Sequence, residues 1–136
     1  MTLELDLEEA PTHWRLAVSG ELDASGCSQF RMNADRILRY RPESLIVDMS
    51  DLEYLDSSGL GILMSLSREH SAAGGHLVLI ASAPVNTLLS LVRLNSLFAT
   101  ASTMQEALEV LGLDSTAQPA PDGSRTPVSS ERATRM

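Results

Sequence analysis

The residues best placed to do chemistry are Asp56-Ser57-Ser58-Gly59. They stand between a short apolar run, Leu45-Ile46-Val47, and a stretch in which Leu60, Leu63, Met64 and Ser67 recur at helical spacing. Two serine hydroxyls are thereby delivered to a helix N-terminus. Free backbone N–H groups there favour negative charge, so a phosphate on Ser57 would be accommodated rather than melt the helix. Asp and Ser are also ordinary N-cap residues, and taken alone the run reads first as a cap. A serine hydrolase is the competing chemistry, with Ser57, His13, His70 or His76 and an Asp. However, the chain lacks a Gly-x-Ser-x-Gly elbow, and His70 falls late on the helix that Ser57 begins.

Composition narrows the remaining options. The chain has 136 residues and a formal net charge of -8, with ten Arg and no Lys. This acidity argues against nucleic acid and anionic membrane surfaces as partners, and the missing lysine removes Schiff-base and P-loop chemistry. Cys27 is the sole cysteine, and with three scattered histidines it shows no metal-ligand spacing, so no metal and no cofactor are expected. No glycine-rich phosphate loop follows a strand, and no small-molecule substrate is expected. The acidic start lacks the pattern of a signal peptide, and no apolar stretch approaches the ~20 residues of a membrane span. A cytoplasmic protein is expected.

The elements that would position Ser57 follow from periodicity. Leu3, Leu5 and Leu7 alternate with acidic residues, and Trp14, Leu16 and Val18 alternate with Arg15, Ala17 and Ser19, which predicts a hairpin across Pro11. Ser25 to Arg39 carries an apolar helical stripe that Pro42 stops. Leu45-Ile46-Val47 and Leu77-Val78-Leu79-Ile80 read as strands buried on both faces. The segment between Val47 and Asp56 reads as a polar loop. Gly74-Gly75 closes the helix begun at Ser57, Pro84 opens the next, and Leu97-Phe98 reads as a last short strand. Thr103 and Glu106 have the spacing of a capping box for a closing helix. The predicted order is β-β-α-β-α-β-α-β-α, an α/β fold with a small mixed β-sheet and about four amphipathic helices mainly on one side. One domain is expected over 1–113. Residues 114–136, almost without large apolar side chains, read as a disordered, solvated tail.

The chain resembles the STAS domain family, in particular its free-standing bacterial anti-sigma factor antagonists. The resemblance is carried by Ser19-Gly20-Glu21-Leu22-Asp23, Val47-Asp48-Met49-Ser50, Leu55-Asp56-Ser57-Ser58-Gly59-Leu60-Gly61 and Gly74-Gly75-His76-Leu77, within about residues 1–113. It implies a STAS fold and a non-enzymatic switch. The unphosphorylated antagonist binds an anti-sigma factor that is itself a serine kinase using Mg-ATP, and the sigma factor is released. The kinase phosphorylates Ser57, the complex parts, and a metal-dependent phosphatase of the PP2C type restores the serine. Ser57 is then the phosphoacceptor. Asp56 orients the loop, Ser58 is a helix-cap hydroxyl, and Gly59 clears space for the partner. Glu21, Leu22 and Asp23 lie on the same face and join Asp56, Ser57, Ser58 and Gly59 in partner binding. The alternative within the family is a non-switching STAS scaffold subunit of a stress-signalling or lipid-transport complex. The sequence departs from the family at Leu94-Asn95-Ser96-Leu97, where Ser96 stands in place of a frequent glycine; the fold is expected to survive with a shifted loop.

Overall fold

Period-2 alternation makes the first two strands a two-faced hairpin. In the computed structural model, which describes residues 2–93 and 97–113, β1 (Leu3–Glu9) runs antiparallel to β2 (Trp14–Leu22), with Leu5 opposite Val18 and Leu7 opposite Leu16. The turn closes with the Ala10 N–H donating to the His13 carbonyl at 3.0 Å. Leucines and valine line the core side, and Glu4, Asp6, Glu8 and Arg15 line the other. On that polar side Arg15 bridges Asp48 at 2.6 Å and Glu8 at 3.2 Å, tying the hairpin to the next strand.

A 3-10 turn, Ala24–Gly26, leads into α1 (Cys27–Tyr40), where one continuous helix from Ser25 was expected. The tighter turn follows from Asp23, whose carboxylate caps Ser25, and from Gly26, which lies against the Leu3 side chain. Phe30, Ala34 and Ile37 form the buried stripe of α1. Arg41, in the left-handed region at φ 53°, ends the helix just before Pro42.

The parallel part of the sheet contains β3 (Ser44–Met49), β5 (His76–Ala81) and β6 (Ala99–Ala101), in the order β1-β2-β3-β5-β6. A further strand, β4 (Leu52–Leu55), occupies part of the expected polar loop and pairs in parallel with the end of β2 beyond an irregularity at Gly20/Glu21. The last strand lies two residues beyond the expected Leu97-Phe98. Leu45, Val47 and Leu79 face a core shared with α1, with α2 (Ser57–Ala72) and with α3 (Ala83–Leu91). Ile46, Val78 and Ile80 face the other way, under α4 (Met104–Val110). Three helices therefore cover one side and the short α4 covers the apolar patch on the other. Thr103 caps α4 as expected, accepting from the Glu106 N–H at 3.1 Å, while the Glu106 carboxylate reaches back to the Ser102 N–H. No described helix is long and apolar enough to cross a membrane. The expectations for 114–136 and for Asn95 and Ser96 lie outside the described residues.

Candidate functional site

Ser57 is exposed and is the first residue of α2. The helix starts there because Asp56 caps it: extended at φ -106°, Asp56 accepts the Gly59 N–H on its Oδ1 at 3.0 Å, and its carbonyl accepts the Leu60 N–H at 2.9 Å. The cap is thus a carboxylate, which leaves the Ser57 hydroxyl outside the capping bond. Ser58, expected as the cap hydroxyl, is instead a second exposed residue in the first turn.

The end of β2 is brought against this turn. The Asp56 N–H donates to the Leu22 carbonyl at 3.3 Å, and in the β2–β4 register Glu21 pairs with Tyr54 and Leu22 with Leu55. Gly59 is buried where these segments meet. A Cβ on it would sit 2.5 Å from the Leu22 carbonyl oxygen and 2.7 Å from Leu55 Cδ1. The clearance that Gly59 provides is therefore taken up by the chain's own β2 and β4. Leu22 is likewise corrected: its side chain is fully buried in the core and presents nothing to a partner. Both residues shape the site from beneath.

What remains on the surface is Glu21, Asp23, Asp56, Ser57 and Ser58. Asp23 accepts the Ser25 hydroxyl at 2.6 Å and the Ser25 N–H at 3.0 Å, and the hydroxyl bond above all holds its carboxyl below the usual range. Glu21 is half-buried, and its Oε1 is buried without a hydrogen-bond partner among the described residues. An acceptor in that condition is costly unless something external donates to it. Tyr54, exposed beside Glu21, joins this face through the unexpected β4. A large aromatic within a polar stretch is the only sequence signal that pointed to it.

The histidines lie elsewhere. Ser57 follows the C-terminal end of β4. His13 and His76 stand where β2 and β5 begin, and His70 Nε2 meets the Pro42 carbonyl at 2.7 Å just before β3. All three thus lie at the strand-start edge, roughly 20 Å of sheet away from Ser57. The fold brings none of the three histidines to Ser57. Among the described residues, no group of three His, Cys, Asp or Glu is placed to hold a metal ion.

The model of the STAS domain family matches residues 4–107. The anti-sigma F factor antagonist of Paenibacillus polymyxa is 28% identical over 93 residues, spanning 67% of this chain and 80% of that protein. A crystal structure of an anti-sigma factor antagonist from Mycobacterium paratuberculosis superposes with a TM-score of 0.75 at 23% identity, over 82% of this chain and 95% of that one. The Bacillus cell fate determinant SpoIIAA in its phosphorylated form gives a TM-score of 0.62 at 23% identity, over 79% of this chain and 99% of that one. At such identities the structural matches establish the fold.

Proposed function

The chain belongs to the STAS domain family, and from that premise we propose that it is an anti-sigma factor antagonist whose binding is switched off by phosphorylation of Ser57. The carrying observation is an exposed hydroxyl at the first position of a 16-residue helix whose cap is already supplied by Asp56. A phosphate there meets the free N–H groups of the first turn, so the modified chain keeps its fold. The switch acts on the partner.

In this reading the unphosphorylated face of Glu21, Asp23, Asp56, Ser57 and Ser58 binds an anti-sigma factor that is a serine kinase, in the cytoplasm. The kinase transfers the γ-phosphoryl of Mg-ATP to the Ser57 oxygen, ADP leaves, and the hydroxyl proton passes to a base on the kinase. The new group carries about -1.5 to -2 charge and enters an interface that fitted a neutral hydroxyl. Shifting a complex from nearly all bound to nearly all free requires ~5.5 kcal/mol of differential affinity. A poorly paired, desolvated phosphate is of the right order to supply much of it. A PP2C-type phosphatase resets the chain. The name of the Paenibacillus relative supports the antagonist role, and SpoIIAA, whose fold this chain shares, has been solved in a phosphorylated form.

The test is to recover the protein from its native host with its partners and map phosphate by mass spectrometry. The expected result is phosphate on Ser57 and an anti-sigma factor kinase retained only by the unmodified form. Ser57→Ala should bind persistently and resist phosphorylation, and Ser57→Asp should lose binding. Partner affinity unchanged by Ser57→Asp would defeat the switch and favour the scaffold alternative.

A further inference from the structure

Every described glycine but one has an internal reason to be glycine. Gly20, Gly74 and Gly112 have φ of 90°, 90° and 77°, which side chains rarely adopt. Gly59 and Gly75 have no room, because a Cβ would strike the Leu22 carbonyl or the His70 ring, and at Gly26 a Cβ would have to displace the end of the Leu3 side chain. Gly61 meets neither condition. It lies inside α2 without a positive φ, it is exposed, and a Cβ built on it would meet nothing within 4 Å.

Glycine inside a helix is destabilising relative to alanine. The fold therefore bears a cost at Gly61 that nothing within the described residues repays. Gly61 lies one turn beyond Ser57, at the i,i+4 spacing that puts two residues on one helix face. Ser58 is exposed in the preceding turn, and α2 carries no charged side chain before Arg68. On a chain of net charge -8 this is an uncharged stretch of nearly bare main chain.

We propose that Gly61 is a specificity-determining contact of the Ser57 surface. By leaving the helix backbone bare, it lets an uncharged polypeptide segment of the partner pack directly against α2 while Ser57 is engaged. The inference rests on the reading of Ser57 given above, and it adds that the partner's footprint extends a full turn along the helix. A side chain at position 61 holds that segment away, and the misfit carries over to Ser57 itself.

The decisive comparison sets the stability of the free chain against its affinity. Gly61→Ala and Gly61→Leu are each melted alone, then titrated with the anti-sigma factor kinase recovered on Ser57→Ala and purified. The rate of Ser57 phosphorylation with Mg-ATP is followed in parallel. Gly61→Ala should raise the Tm of the free chain by a few degrees while weakening binding about tenfold. Gly61→Leu should remain folded and bind about a hundredfold more weakly, with phosphorylation slowed alongside. A Tm for Gly61→Ala that fails to rise would mean that the glycine serves the fold, which overturns the proposal. So would wild-type affinity in Gly61→Leu. If wild type and Ser57→Ala bind tightly and Gly61→Leu binds equally well, this inference alone is wrong. If neither wild type nor Ser57→Ala retains an anti-sigma factor, the reading of Ser57 falls and takes this one with it.

Discussion

Gly59 and Gly61 stand two residues apart on one helix and answer to opposite constraints. At Gly59 the neighbour of a new Cβ is a backbone oxygen, Leu22 O at 2.5 Å, which has no rotamer to yield with. Gly59→Ala must push α2 away from β2, and overpacking of this kind costs about 1–3 kcal/mol. Thermal denaturation should show a clear fall in Tm, opposite in sign to the rise expected for Gly61→Ala. Asp56 is separable from both. Asp56→Ala removes the acceptor of the Gly59 N–H and should cost ~1 kcal/mol, whereas Asp56→Asn keeps a side-chain oxygen and should recover most of it. Urea midpoints for the two variants that coincide would mean that the carboxylate does no capping in solution. The sequence alone made Ser57 legible as a helix-start hydroxyl. Whether Gly59 faced inward or outward was not legible, because that depends on how β2 and β4 cross beneath the helix.

At the scale of elements, the strands with strong period-2 or all-apolar patterns were readable and β4 was not. Leu52-Glu53-Tyr54-Leu55 buries only its two ends, so neither alternation nor an apolar run announces it. It becomes a strand because the irregularity at Gly20/Glu21 turns the end of β2 toward it. The helices were readable from their apolar stripes, and the end of α1 from Pro42, but the 3-10 entry to α1 depends on the packing of Gly26 against Leu3, distant in sequence. Tertiary contact likewise explains the importance of Ser82. Its hydroxyl donates to the Leu52 carbonyl at 2.7 Å and accepts the Val85 N–H at 3.4 Å, so one side chain both caps α3 and holds β4. Ser82→Ala should cost about 1–3 kcal/mol, because it removes a cap and strips the Leu52 carbonyl of a donor. Amide exchange should speed up in β4 as well as at the start of α3; acceleration confined to α3 would assign Ser82 the capping role alone.

The whole molecule places the Ser57 surface and its two buried histidines, His13 and His70, at opposite ends of one sheet, which allows the pH response of the fold to be separated from that of the site. His13 is 7% exposed, with Nδ1 2.9 Å from the Thr12 hydroxyl. Burial, opposed by Glu8 and reinforced by Arg15, holds its pKa below the ordinary imidazole value. Below about pH 6.5 the unfolded chain therefore takes up a proton that the native chain still refuses, and stability falls until the native pKa is passed. Asp48 behaves differently. Burial alone would raise its carboxyl, but hydrogen bonds from Ser50 and Arg15 outweigh it and keep the pKa low. The stability it contributes is present above about pH 4 and is lost as the pH drops through its native value. Two separate declines are thus expected in urea midpoints measured downward from pH 8, one beginning near pH 6.5 and one near pH 4. His13→Gln, neutral throughout, should flatten the first and leave the second. Asp48→Asn should reduce the second and leave the first, at the expense of the Arg15 bridge at every pH above it. A first decline that survives in His13→Gln would place its origin in another group.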